Sequence, residues 1–189
     1  MKGVKLKKNW VVNLIFLAGI LILLFTPIGF KVKVMASKLM ATSAAMVKEG
    51  MQTPLDTYEW ELTDLKGETL QFESQKKNVV LLNYWATWCP PCVAEMPTLQ
   101  KLYDDYGDKV TFMFVTDDDR KKVDAFLEKR NLYLPVYYSN SPEPKVLSSK
   151  LLPTTYIINK EGKIVVAETG AADWNSAQTR KLLDDLLMQ

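Results

Sequence analysis

The 189-residue chain carries 24 basic and 22 acidic side chains, two cysteines and no histidine. Structural zinc needs four Cys or His donors, and copper capture by a cysteine pair with distant histidines fails for the same lack, so metal-centred function is excluded. The charge is unevenly spread: residues 1–54 hold eight lysines and one acid, Glu49, which leaves 16 basic against 21 acidic residues in 55–189 and a net charge of −5 there. An acidic domain repels phosphate backbones, so nucleic acid is excluded as a partner.

In chain order, the first element is a charge-free stretch, residues 9–30, centred on the apolar run "LIFLAGILILLF". It is long enough for a helix crossing a bilayer core of roughly 30 Å. Lys2, Lys5, Lys7 and Lys8 precede the run and Lys31, Lys33 and Lys38 follow it. With the amino terminus added, the positive-inside bias favours a cytoplasmic N-terminus and an exported domain on the extracytoplasmic side. A cleaved signal peptide is the competing reading, with "VMA" at residues 34–36 as a cleavage site. That site lies about ten residues beyond the apolar core with Lys31 and Lys33 between, so a retained anchor over residues 1–30 is expected, with membrane contact through 9–30. Residues 31–54, rich in Met, Ala and Lys, read as a stalk near the membrane surface, their methionines serving packing and not metal.

A domain is expected over residues 55–189. "YEWEL" and "TLQF" alternate around the turn "DLKGE", which predicts a short β-hairpin. "NVVLLNYW" (residues 78–85) reads as a buried central strand, and "PPCVAEMPTLQKLYDDYG" (90–107) has helical spacing through Val93, Met96, Leu99 and Leu102. Two prolines at a helix start cost little, but Pro97 falls inside the helix and predicts a kink. "VTFMFVT" (110–116) is a second buried strand; Asp117, Asp118 and Asp119 after it read as helix capping in preference to a cation site. "LPVYY" (134–138) gives a further strand. "TTYIIN" and "KIVVAETG" form a hairpin about "KEG", and "SAQTRKLLDDLLMQ" closes the chain as an amphipathic helix with Leu182, Leu183, Leu186 and Leu187 inward. Strands alternating with helices predict an α/β sandwich.

Cys89 and Cys92 stand where the buried strand gives way to the helix. A structural bridge between residues so close in sequence constrains the unfolded chain little. Redox chemistry is what remains, because the helix N-terminus offers partial positive charge and free N–H groups to a thiolate. Cys89, at the very start, is the expected nucleophile, and Cys92, one turn inward, the residue that resolves the mixed disulfide. Trp88 either covers the sulfur and offers substrate an apolar contact or packs in the core.

"WATWCPPC" after an apolar strand, "CVAEMP" along the helix and "LLPTTYIIN" some 60 residues on resemble the thioredoxin superfamily, specifically its membrane-anchored TlpA/ResA-like branch, over about residues 58–187. The resemblance implies a thioredoxin-like α/β fold: a central mixed sheet flanked by helices, with an N-terminal β-hairpin after the transmembrane helix. It also implies a cis bond between Leu152 and Pro153 facing the dithiol, with the Leu152 backbone pairing with extended substrate. Thioredoxins proper carry a buried aspartate where this chain has Asn83, which cannot take a proton. In the TlpA/ResA-like branch a glutamate one turn after the second cysteine fills part of that role, and Glu95 matches it. Glu95 is then either a partly buried proton acceptor for Cys92 or a solvent-facing helix residue.

The function so implied is a membrane-tethered, extracytoplasmic thiol–disulfide oxidoreductase needing no cofactor and acting as a monomer. It reduces protein disulfides, apocytochrome c among them, and is recharged by a membrane electron donor. The alternatives are a thiol peroxidase, which wants an arginine beside one cysteine, Arg120 being nearest in sequence, and a tethered binding module without catalysis.

Overall fold

The structure, a computed structural model, describes residues 4–48 and 50–189; Lys2 and the side chains of Lys5, Lys7 and Lys8, on which the orientation argument partly rests, lie outside the described residues. Two helices come first, α1 (Val4–Phe25) and α2 (Pro27–Met40). The uncharged stretch 9–30 is therefore not one straight span: Thr26 separates the helices, and their axes differ by 76°. Thr26 caps α2 by accepting from the Gly29 N–H (3.2 Å) while its own hydroxyl donates to the Ile22 carbonyl (2.6 Å), and Pro27 starts the new helix, where no intrahelical N–H is needed. Among the described residues no single helix is long and apolar enough to cross a membrane; the bent pair Trp10–Phe25 and Pro27–Met40 matches a broken span by length and composition only.

The segment read as a stalk makes contacts of its own with the domain. α2 lies against a helix of the domain, Thr42 and Met46 bridge to Ala172 and Val166, and β1 (Thr53–Pro54) joins the sheet edge. Backbone groups in this segment find partners in the domain, as buried polar groups must.

Eight strands form one mixed sheet in the order β1-β8-β7-β4-β5-β6-β2-β3, with β2 at Glu61–Asp64, β3 at Thr69–Gln71, β4 at Val80–Tyr84, β5 at Thr111–Val115, β6 at Val136–Ser139, β7 at Thr154–Ile158 and β8 at Lys163–Thr169. The hairpin, the central strands and the closing hairpin lie where the alternation put them. β4 is central, parallel to β5 and antiparallel to β7. All five of its residues are buried, which is why it reads as a run that is apolar but for Asn83.

Side chains alternate between two cores. Leu81, Phe112, Phe114 and Ile157 pack with α3 (Pro90–Tyr106), α4 (Arg120–Arg130) and α5 (Ala177–Met188), the last through Leu182, Leu183 and Leu186, while Leu187 is half-buried. Val80, Leu82, Met113, Val115 and Ile158 face the other way, onto Trp60, Phe72 and Leu147. That second layer is thinner, built on short 3-10 turns at Phe72–Gln75 and Lys145–Leu147. α3 runs through Pro97, and Asp119 caps α4 by accepting from the Lys122 N–H (3.1 Å).

Gly162, in the turn between β7 and β8, has φ +78°, and a Cβ there would run into the Tyr58 hydroxyl. Gly162→Ala is expected to cost about 1–3 kcal/mol, read as a lower midpoint in chemical denaturation with an unchanged slope.

Candidate active site

β4 delivers the chain to the site and α3 starts it. Cys89 is the N-cap of α3, in extended conformation, and its Sγ accepts from the Cys92 N–H at 3.3 Å. The first turn of the helix is thus aimed at that sulfur, which is the arrangement that favours a thiolate in the reduced form. In the structure the two cysteines are joined, with Cα atoms 5.3 Å apart. Cys92 is fully buried and Cys89 is 3% exposed, so an incoming sulfur reaches Cys89 first.

The loop before the dithiol is stapled across the strand ends. The Thr87 N–H and hydroxyl both donate to Asp118 Oδ2, the former at 3.0 Å. Burial works against that carboxylate's charge, but the bonds from Thr87 and the Asp119 N–H outweigh it and hold the Asp118 pKa below its ordinary value. Trp88 is 62% exposed and so does not belong to the core. The Leu152-Pro153 bond is cis, at the start of β7, whose Thr154 pairs with Tyr84 at the end of β4. Pro153 is buried and accepts from the Gly170 N–H through its carbonyl (2.9 Å).

Trp88 and Leu152 line one groove of about 540 Å³, together with Tyr84, Trp85, Tyr138 and Lys150. The Tyr84 hydroxyl, the Trp85 indole N–H and the Tyr138 hydroxyl are buried without a hydrogen-bond partner, an unusual concentration of unsatisfied groups beside one cleft. Arg120, by contrast, is engaged elsewhere: it stacks on the Tyr138 ring (4.0 Å) and donates to the Asp64 carbonyl (2.8 Å).

Glu95 sits one turn beyond Cys92 and is only 1% exposed, which removes the solvent-facing alternative. Its Oε1 accepts from Asn83 Nδ2 (2.8 Å), and its Oε2 accepts from the Trp174 indole (2.9 Å) and the Ala172 N–H (3.3 Å). Burial dominates over these three bonds and raises its pKa to about 7. Asn83 Nδ2 also donates to Thr155 Oγ1 (2.7 Å), while Asn83 Oδ1 is buried without a partner. Sequence reasoning missed Trp174, Ala172 and Thr155. Their positions, some 60 to 80 residues from Glu95, carry no local pattern that would point to it.

A cysteine pair at a helix N-terminus, on a mixed sheet with a cis-proline at the start of β7, defines a thiol–disulfide oxidoreductase of thioredoxin-like fold, in its TlpA/ResA-like form. The chain belongs to the Redoxin family, whose profile matches residues 48–187. It is 32% identical to "Thioredoxin-like protein YneN" of Bacillus subtilis over 142 residues, which is 73% of this chain and 81% of that protein. It is 31% identical to "Thiol-disulfide oxidoreductase ResA" of Bacillus cereus over 147 residues, covering 75% of this chain and 80% of the relative. Among solved structures, a DsbF homologue from Corynebacterium diphtheriae superposes with a TM-score of 0.58 at 21% identity, over 77% of this chain and 94% of that one, a likeness of fold.

The folded state holds the Glu95 proton up to about pH 7, whereas the unfolded chain releases it near 4.5. Between those values the native state binds more protons, so stability falls as pH rises through the window, by an amount on the order of a few kcal/mol. The thermal midpoint of the oxidised protein should therefore drop from mildly acidic to mildly alkaline buffer, and the drop should be smaller in Glu95→Gln. Parallel pH curves for the two proteins would contradict this.

Proposed function

We propose that this protein is a membrane-tethered reductant of protein disulfides, working on the extracytoplasmic side, with Cys89 as nucleophile, Cys92 as resolving thiol and Glu95 as proton acceptor. The observation that carries the chemistry is the pairing of a helix-capping sulfur with a buried carboxylate that titrates near neutrality.

In the reduced enzyme the Cys89 thiolate attacks one sulfur of a client disulfide. A mixed disulfide forms, and the other client sulfur leaves as a thiolate that takes up a proton. Cys92 then gives its proton to Glu95 and attacks the Cys89 sulfur, releasing the second client thiolate and closing the enzyme disulfide. Two electrons pass from enzyme to client. A carboxylate with a pKa of about 7 accepts a thiol proton and passes it on at little cost in either direction. Reopening the bridge requires a dithiol donor, and a membrane electron donor fits a tethered enzyme.

The groove lined by Trp88 and Leu152 is the proposed client site. An extended peptide there meets the exposed Trp88 ring, which supplies apolar contact. Apocytochrome c, whose haem-attachment cysteines react only as thiols, is the client class implied by the ResA-like resemblance. The exposed apolar surface of α1, from Trp10 to Phe25, supports the tether. The engagement of Arg120 with Tyr138 and Asp64 counts against peroxidase chemistry at Cys89.

Cys92→Ala should accumulate mixed disulfides with clients in membranes, and Cys89→Ala should form none. Equal trapping by both variants, or turnover surviving in Cys89→Ala, would refute the assignment. In the wild type the rate of client reduction should show an inflection near pH 7, set by Glu95, which is absent from Glu95→Gln. Superimposable pH–rate profiles would remove Glu95 from the mechanism.

A further inference from the structure

The stretch after the bend has two apolar faces, and only one is used. Phe30, Val34 and Ser37 are half-buried, and α2 lies against α3, the helix that begins at Cys89. On the opposite side Ile28, Val32, Met35 and Leu39 recur at helical spacing and are 68, 45, 62 and 83% exposed. At about 100° per residue, Lys31 and Lys38 fall on one shoulder of that stripe and are exposed, while Lys33 lies toward the half-buried face. An apolar stripe with a lysine shoulder is the pattern of a helix lying in a membrane interface, with ammonium groups at the level of anionic headgroups.

The bend supplies the second observation. α1 is exposed and apolar from Trp10 to Phe25, and α2 leaves it at 76°, close to a right angle. With α1 inserted along the bilayer normal, a second helix at that angle lies in the membrane plane, so the bent pair meets the bilayer together and not as one straight span. The angle is built in: Thr26 bonds both helices, and Gly29 is buried where a Cβ would collide with the Leu23 backbone.

We propose that α2 is an in-plane interfacial helix, its Ile28, Val32, Met35 and Leu39 side chains seated in the headgroup–acyl boundary of an anionic bilayer. The catalytic domain is then clamped to the membrane by one fixed side and does not swing on a stalk. Because α2 packs on α3, the dithiol helix sits within roughly one interhelical spacing, about 8–10 Å, of the interfacial helix, placed for exchange with a membrane-embedded donor. The proposal rests on the reading of α1 as the tether, and its test separates the two.

The full chain, with its native disulfide left oxidised, is given single cysteines at Val32, Met35 or Leu39, at Ile20 within α1, and at the exposed Leu151 of the domain. Each is labelled with an environment-sensitive fluorophore and reconstituted in vesicles of phosphatidylcholine and phosphatidylglycerol in equal parts. Shallow-quencher lipid should extinguish emission at 32, 35 and 39, deep-quencher lipid should extinguish it at 20, and neither should affect 151. Replacing phosphatidylglycerol by phosphatidylcholine should weaken shallow quenching at the α2 positions.

Deep quenching at 20 with none at 32, 35 and 39 would overturn the in-plane helix and leave the tether standing. No quenching at any position would overturn both. Energy transfer between chains labelled at Met35, without lipid quenching, would overturn the proposal in favour of a second copy covering the stripe.

Discussion

Glu95 is a carboxylate that water does not reach, and the architecture around the dithiol is organised by that fact. Its charge is answered by three N–H groups from two places: Asn83 on the central strand, and Ala172 and Trp174 in the segment that follows β8. The bonds tie α3 to both, so the helix that begins at Cys89 is held in register with the strand that delivers it. The bonds do not offset burial in full, and the remainder is a pKa of about 7. A fully solvated glutamate would be ionised at all physiological pH values, and one buried without donors would never ionise. Proton transfer near neutrality needs the intermediate case.

The same balance explains why an asparagine suffices on β4. With the ionisable group moved to α3, position 83 needs a donor and not an acid, and Asn83 donates to both Glu95 and Thr155. A second carboxylate 2.8 Å from the first would couple the two titrations and oppose ionisation of either. The polar cluster therefore holds one negative charge at most, one helical turn beyond Cys92.

At the other end of the chain the governing constraint is geometric. Thr26, Pro27 and Gly29 convert what reads as one apolar helix into two helices nearly at right angles, and Thr42, Met46 and Thr53–Pro54 then pair with the domain. α1 and α3 become neighbours through α2.

Much of this was legible in the residues. The buried strand, the helix after the cysteines, both hairpins and the closing amphipathic helix follow from periodicity and turn chemistry, because these are local properties of the chain. The two cysteines at a strand–helix junction announced redox chemistry, and the resemblance of "WATWCPPC" and "LLPTTYIIN" to a known superfamily pointed to the cis bond at Pro153 and to Glu95. What tertiary structure alone decided was long-range: the burial of Glu95 and the identity of Trp174, Ala172 and Thr155 around it, the exposure of Trp88, and the pairing of Thr42, Met46 and Thr53–Pro54 with the domain. Sequence records which groups are present and their local spacing. A pKa or a packing face depends on which distant groups converge, and convergence is fixed only when the sheet closes and the two cores fill.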